Sequence, residues 1–297
     1  MLKKMTDDFV LFVTKNPVYL LCSLAYYLFA SWSLGSGIWA YIVILIVYVI
    51  SLAVVFSPLG EKLLRVLERA RRVETNQERE LLFPIFHEVC DELDRQQIKH
   101  EYLTICVIDK MTINACAMGK HTIAVTKGAM ELFSANELKA IIAHEIAHIL
   151  YLDTIARLYA MVGNGIYSLF FIVLRLIMFV ADVIRSVESK SKGLALAFQL
   201  VRLFVDIIIF ATMFMMQLAM SIGSRKTEYR ADWFAFKMGY GKELVDALYM
   251  LEKVSLGDNS DLIERMTAKH PRITARIGRL EKLLAEEERA EAPYAPR

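Results

Sequence analysis

The sequence lacks the features that mark several common classes of protein. Its 4 cysteines form no C-x-x-C pair, which argues against a disulfide framework and against a cysteine-based metal site. The net charge is only +2 and no basic stripe is present, so a nucleic-acid partner is not expected. There is also no internal repeat and no low-complexity linker. What remains is a chain of 297 residues, long enough for one sizeable domain or two small ones.

Apolar residues are abundant and are concentrated in four runs. They make up 56% of the chain, above the roughly 45–50% of an ordinary soluble domain. The runs occupy residues 17–34, 38–56, 158–181 and 194–222. The first two are close to the length of about 20 residues that a membrane helix needs, and the last two are long enough to span, so we predict two transmembrane hairpins. A cleaved signal peptide is disfavoured because the second run follows the first almost at once.

The second pair of runs is less regular than the first. Arg175 interrupts the third run, and Arg202 and Asp206 interrupt the fourth. Charged residues inside a membrane usually face the interior of a helix bundle, and the spacing of Arg202 and Asp206 allows them to pair. A structural pair is favoured, while a functional role stays open. A further alternative is that this hairpin lies partly within the protein or the membrane interface.

The basic residues predict the orientation of the chain in the membrane. Lysines precede the first run, several basic residues follow the second, and the turn at 35–37 has none. The positive-inside rule therefore places both the N-terminus and the segment after residue 57 in the cytoplasm. The loop at 182–193 is expected outside, although it carries three basic residues.

The polar segments change from helical to strand-like character. Residues 61–100 are expected to be helical, beginning with the amphipathic stretch EKLLRVLERARRV at 61–73. Residues 102–108 are β-branched and aromatic, and 114–128 read as two short strands around a Gly-Lys turn. Together with the apolar runs, these patterns predict a mainly α membrane protein with a small β-sheet.

Four parts of the chain follow from this organisation. They are an N-terminal transmembrane hairpin at 1–60, a first cytoplasmic part at 61–157, a second transmembrane hairpin at 158–222 and a second cytoplasmic part at 223–297.

Two histidines stand four residues apart around a glutamate in AHEIAHILYLD, residues 143–153. Ser134, with Glu137 three residues later, predicts a capped helix through this segment. On that helix His144 and His148 share a face and could bind one metal ion. Glu145 lies about 100° further round, where it can act as general base on a water molecule. Two structural histidines on a buried helix are the alternative, which the position of Glu145 disfavours.

A catalytic zinc site needs a third protein ligand, and the segment SRKTEYRAD at 224–232 offers one. Glu228 is the candidate, and Asp232 follows it on the same helical face. Asp232 could accept the outer N–H of a ligand histidine and so fix its tautomer. An ordinary charged helix face is the alternative because basic residues are close by, but the H-E-x-x-H motif favours the ligand.

Several motifs together resemble those of the HtpX-type membrane zinc peptidases, which are related to the type II CAAX prenyl endopeptidases. The matching segments are NACAMG (114–119), HTIAVTKG (121–128), ELKAIIAHEIAHILYLD (137–153), SRKTEYRAD (224–232) and HPRITARI (270–277). The resemblance extends over nearly the whole chain, including the positions of the two hairpins.

This resemblance implies a gluzincin-like zinc peptidase domain combined with two transmembrane hairpins. Its ligands to one Zn²⁺ per chain would be His144, His148 and Glu228, with Glu145 as the base and Asp232 behind the ligands. The implied activity is endopeptidase cleavage of misfolded or damaged membrane proteins at the cytoplasmic face of the inner membrane, as part of quality control and stress response. Because the third and fourth apolar runs interrupt the ligand set, the zinc is expected near the cytoplasmic membrane surface.

The sequence gives weaker indications for further residues of the site. Residues 114–117 (Asn114, Ala115, Cys116 and Ala117) are expected in an edge strand to which an extended substrate adds by main-chain hydrogen bonds. Asn114 either orients the substrate or is a simple turn residue.

His270 is preferred over Tyr229 as a second donor to the reacting carbonyl oxygen. It precedes Pro271, which suits the first position of a helix. Its alternatives are an inhibitory fourth zinc ligand and a plain capping residue. Arg276 is close enough on that helix to pair with Asp232 or another acidic residue of the cleft.

Two non-enzymatic interpretations stay open at this point. A membrane scaffold or holdase with a structural zinc would keep the histidines but would not need Glu145. A transporter is supported only by the charged residues of the last two apolar runs. The partners expected are unfolded or membrane proteins and the lipid bilayer, while the sequence gives no indication of the oligomeric state.

Overall fold

The computed structural model describes residues 38–159, 226–255 and 273–291, together with isolated positions in the remaining segments. Three of the four predicted spans and the loop at 182–193 lie almost entirely outside this part. The side chains of Arg175, Arg202, Asp206 and His270 also lie outside it.

The chain divides into two compact units, and each contains two separate stretches of sequence. The first unit comprises Met1–Gly60 and Ala156–Met220, and the second comprises Glu61–Ile155 and Ser221–Arg297. The second unit holds the H-E-x-x-H segment and Glu228. The assignment of 1–60 and 158–222 to membrane hairpins stays a prediction.

Helices dominate the described residues. In chain order they are α1 (Ile38–Phe56), α2 (Pro58–Leu67), α3 (Asn76–Arg95), α4 (Lys127–Leu132), α5 (Ala135–Leu150), α6 (Asp153–Leu158), α7 (226–235), a π-helical segment (Phe236–Tyr240), α8 (Gly241–Ser255) and α9 (Ile273–Glu291). The strands are β1 (Ala70–Arg72), β2 (Thr104–Ile108), β3 (Ala115–Met118) and β4 (Thr122–Thr126). The prediction of a mainly helical chain with a small sheet is confirmed.

The second apolar run forms α1 with the bounds predicted for it. Many of its side chains are exposed, including Trp39, Leu45 and Val49 at 74%, 61% and 55%. Among the described residues no single helix is both long and apolar enough to cross a membrane. One bent pair, Tyr41–Phe56 with Pro58–Glu68, meets those requirements when the two helices are taken together.

The four strands form one mixed sheet in the order β1-β2-β4-β3. Strands β2 and β4 are parallel, with Ile105 opposite Ile123, whereas β3 runs antiparallel to β4. The turn between β3 and β4 contains Gly119 at φ 60°, a left-handed conformation that glycine adopts without steric cost. The two short strands predicted within 114–128 are thus confirmed, and β3 lies at one edge of the sheet.

The expectation of an uninterrupted helix over 61–73 is wrong. Helix α2 ends at Leu67, Arg69 has a positive φ of 57°, and residues 70–72 form β1. Strand β1 pairs antiparallel with β2, with Ala70 opposite Ile108. A helix-like local pattern is overridden here because the backbone of 70–72 gains hydrogen bonds from a strand more than 30 residues later.

The H-E-x-x-H helix α5 runs through the core of the second unit. Its N-terminus has the predicted capping box, in which Ser134 and Glu137 each accept the other's backbone N–H. Leu138, Ile142 and Ile146 of α5 are fully buried. They belong to one apolar core shared with α3, α8 and the sheet, which fixes the orientation of the remaining face of α5.

Candidate active site

Helix α5 presents three chemically active side chains together. His144, Glu145 and His148 are all buried, and their ligand atoms lie within 4.8 Å of one another. The rings of His144 and His148 are 4.9 Å apart and nearly perpendicular, as expected for residues one helical turn apart. The same helical face therefore carries both imidazoles and a carboxylate.

Helix α7 brings the carboxylate of Glu228 onto this group. Its Oε2 lies 3.4 Å from Nε2 of His144, and its Oε1 lies 3.5 Å from Nε2 of His148. Glu228 is only 2% exposed, so its charge needs compensation by a cation. Two imidazole nitrogens and a carboxylate oxygen form a donor set suited to zinc, which leaves a fourth position open.

Glu145 is a second carboxylate close enough to be considered as a ligand. Its Oε2, however, accepts a 2.8 Å hydrogen bond from the backbone N–H of Ala117 in β3. Glu228 faces the Nε2 atoms of both histidines, whereas Glu145 is directed toward the edge strand. The arrangement therefore fits Glu228 as the third ligand and Glu145 as a group beside the metal.

The outer nitrogen of His144 is held by Asp232, one turn beyond Glu228. The distance from His144 Nδ1 to Asp232 Oδ1 is 3.0 Å. Burial lowers the pKa of His144, but hydrogen bonds to Asp232 and Glu228 outweigh that effect and raise the pKa to about 9. Burial also raises the pKa of Asp232, yet its bonds to His144 and Arg276 hold it below the usual range. Asp232 is thus an anion that fixes the ring of His144.

Arg276 of α9 closes this side of the site. Its guanidinium makes a two-pronged contact with Asp232, at 2.8 Å from Nε and 2.5 Å from Nη2. Its Nη1 lies 3.2 Å from Oε2 of Glu228. Arg276 is 7% exposed, and it balances the two buried carboxylates while orienting both. The pairing with Asp232 that the sequence suggested is present.

A second, similar chain of contacts behind His148 was missed from the sequence. His148 Nδ1 lies 3.2 Å from Oδ2 of Asp153, and Arg230 donates to both oxygens of Asp153 at 2.6 and 2.8 Å. The Arg230 guanidinium also lies 4.3 Å from the ring centroid of Tyr151. Each candidate ligand histidine is therefore backed by an aspartate and an arginine.

This contact depends on a reversal of the chain at the end of α5. Leu152 has a positive φ of 59°, and this turn of the backbone brings Asp153 back toward the helix that it follows. From the sequence alone, Arg230 is one of the nearby basic residues that support the alternative of an ordinary charged helix face.

Strand β3 passes alongside α5 as the predicted edge strand. Ala117 is the residue in contact with Glu145, and Ala115 and Cys116 precede it in the strand. Asn114 is exposed just before β3, and its backbone is fixed by Thr126, whose N–H and Oγ1 both donate to its carbonyl oxygen. The roles of these residues toward a substrate stay predictions.

The sequence offers two candidates for a second donor to the reacting carbonyl oxygen, His270 and Tyr229. His270 lies outside the described residues. Tyr229 lies next to Glu228 on α7, half-buried, with the Arg279 guanidinium 4.9 Å from its ring centroid. The proposed role of His270 stays a prediction.

The chain is similar to known proteins. The family model of peptidase family M48 matches residues 76–284. Among similar proteins, a protease HtpX homolog of Prosthecochloris aestuarii is 31% identical over 187 residues, covering 57% of this chain and 62% of that protein. Protease HtpX of Xanthomonas oryzae pv. oryzae is 27% identical over 201 residues, covering 59% of this chain and 64% of that protein. The matched region thus spans less than two thirds of these relatives.

A solved structure supports the fold. The crystal structure of S. mikatae Ste24p superposes with a TM-score of 0.51 at 19% identity, covering 94% of this chain and 67% of that one. The resemblance to HtpX-type peptidases is confirmed by the family match, which covers the H-E-x-x-H helix, Glu228 and Arg276. The chain belongs to peptidase family M48, whose members are zinc metallopeptidases.

Proposed function

We propose that this protein is a membrane-bound, zinc-dependent endopeptidase that hydrolyses peptide bonds of misfolded or damaged membrane proteins at the cytoplasmic face of the membrane. The observation that carries the proposal is the position of Glu145. A structural zinc site has no use for a buried carboxylate beside its first ligand, whereas a hydrolytic site requires a base there. Glu145 also contacts the edge strand β3, which supports the binding of a substrate peptide along that strand.

His144, His148 and Glu228 would hold the zinc, and Asp232 and Asp153 would keep the two imidazoles oriented with their Nε2 atoms toward it. Bound there, zinc would supply a Lewis acid for the substrate carbonyl and acidify a water molecule. The chain itself supplies the proton transfers. Glu145 takes the proton of the attacking water and delivers it to the leaving amine.

The backbone of β3 is the proposed substrate-binding strand. The carbonyl of Asn114 pairs with the N–H of Thr126, so by alternation the main-chain groups of residues 115 and 117 point away from β4. The N–H of Ala117 is bound to Glu145, which leaves the other outward main-chain groups of this edge for a peptide. An extended peptide that pairs with this edge would gain main-chain hydrogen bonds with little dependence on its sequence. Such binding suits substrates that are unfolded rather than defined by a motif.

The membrane location is supported by the exposed apolar surface of α1 and by the cluster of basic residues that follows it. Side chains such as Trp39 and Leu45 would otherwise be in contact with water, which is costly for so long an apolar helix. The basic residues after α1 favour a cytoplasmic position for the catalytic unit.

Cleavage of casein by the purified, zinc-loaded protein tests the proposal, with Glu145→Gln as the critical variant. We expect this variant to retain zinc and to lose cleavage, because the amide cannot accept the proton. Glu131→Gln, which changes an exposed carboxylate of α4, is the matched control and should cleave at the wild-type rate. Full activity of Glu145→Gln would contradict the mechanism, and zinc binding without any cleavage by the wild type would favour a scaffold or holdase.

A further inference from the structure

Helix α2 has an apolar side that is exposed. Leu59, Leu63, Val66 and Leu67 are 51%, 37%, 67% and 61% exposed. At about 100° per residue, these four side chains fall within an arc roughly 100° wide. A helix of ten residues with so compact an exposed apolar arc is amphipathic in the way that interfacial membrane helices are.

The opposite side of α2 is fixed to the sheet. Leu64 is 1% exposed, and Glu61 is 9% exposed. Glu61 accepts a 3.0 Å hydrogen bond from the N–H of Lys120 and a 2.5 Å bond from the hydroxyl of Thr122. Both donors belong to the β3–β4 hairpin. The part of the exposed arc at residues 63–67 is therefore held in a set orientation relative to the edge strand β3.

Charge and chain continuity indicate what covers the exposed arc. Lys62 is exposed at the border of the arc, and Arg69 and Arg72 are exposed just after the helix. The helix follows the apolar α1 with a single intervening residue, Ser57, whose hydroxyl accepts from the N–H of Leu59. The apolar arc begins where the apolar helix α1 ends, and basic residues border it. This combination matches the boundary between acyl chains and headgroups in an anionic bilayer.

We propose that α2 lies in the surface of an anionic lipid bilayer, with its apolar arc among the acyl chains and Lys62 on a lipid phosphate. This inference rests on the proposed membrane location. Because Glu61 ties the same helix to the β3–β4 hairpin, α2 would hold the substrate-binding edge strand at a constant distance from the lipid. A segment pulled out of the bilayer would then meet β3 directly.

Site-specific photocrosslinking of the full-length protein in vesicles tests this. The photoreactive residue p-benzoylphenylalanine replaces Leu63, and the vesicles contain phosphatidylcholine with or without phosphatidylglycerol. We expect lipid adducts at position 63 and none at Glu74, an exposed position after β1 that serves as the matched control. Lys62→Gln should lower the preference of the position-63 adduct for phosphatidylglycerol by about fivefold, since one basic side chain near an anionic surface contributes about 1 kcal/mol.

Crosslinking of position 63 to another polypeptide, or the absence of any adduct there, would overturn the inference. Equal lipid labelling at positions 63 and 74 would overturn it as well. The photoreactive residue at Ile46 of α1, which is 52% exposed, separates the two proposals. Lipid adducts at 46 but not at 63 contradict only the role of α2, whereas none at either position contradicts the membrane location itself. No arm of the experiment depends on proteolysis.

Discussion

The contact between His148 and Asp153 makes a quantitative prediction for zinc affinity. Asp153→Asn keeps the size of the side chain but removes the negative charge that accepts from His148 Nδ1 and from Arg230. Changing such a partner of a ligand histidine typically weakens metal binding 10- to 100-fold, or about 1.4 to 2.8 kcal/mol. Arg230 is 34% exposed, so water partly replaces this contact, and we expect an effect near tenfold.

The buried partner of the other histidine provides a comparison within the same protein. Asp232 and Arg276 are 3% and 8% exposed at their side chains, so water cannot substitute for them. Asp232→Asn should therefore weaken zinc binding by close to 100-fold. The ratio of the zinc affinities of the two variants tests whether exposure to water sets the size of the effect, in addition to testing whether the contacts exist.

Competition with a fluorescent zinc chelator at neutral pH measures both effects. Asp91→Asn, which changes an exposed aspartate of α3, is the matched control and should bind zinc as the wild type does. Circular dichroism checks that each variant is folded. A zinc affinity of Asp153→Asn equal to that of the wild type, in a folded protein, would refute the role of Asp153.

Two further predictions concern the arginines. Arg276→Met leaves Asp232 and Glu228 without their shared cation. The unfolding free energy of the zinc-free protein in detergent should therefore fall by about 3 kcal/mol or more. A loss below about 1 kcal/mol would contradict this role of Arg276. Arg71 donates to Glu78 and lowers its pKa from 4.5 to about 2, so the stability from this pair is present above pH 4.5 and is lost as the pH falls toward 2. Arg71→Met should therefore be less stable than the wild type at neutral pH, with a difference that shrinks below pH 4.5; a difference independent of pH would refute the pairing.

The sequence predicts the active-site helix well because its signals are local. Ser134 and Glu137 are three residues apart and cap the same turn, and the spacing of His144 and His148 places both on one face of the helix they share. Glu228 was identifiable from the need for a third ligand.

The features that the sequence did not predict depend on contacts between distant segments. Strand β1 exists because its backbone pairs with β2, and nothing in the residues near Arg69 indicates a left-handed turn there. The contact between Asp153 and Arg230 joins positions 77 residues apart and requires the chain reversal at Leu152. Periodicity within one segment cannot reveal such pairs, whereas the i, i+4 relation of Glu228 and Asp232 could be seen directly.

The zinc content of purified variants tests the central claim most directly, namely that His144, His148 and Glu228 hold a zinc ion beside the base Glu145. Elemental analysis of the wild type and of Glu145→Gln should give about one zinc per chain, as expected for one three-ligand site. Glu228→Ala should have little zinc and no cleavage of casein. Full zinc occupancy in Glu228→Ala, or loss of zinc in Glu145→Gln, would contradict the assignment of ligand and base.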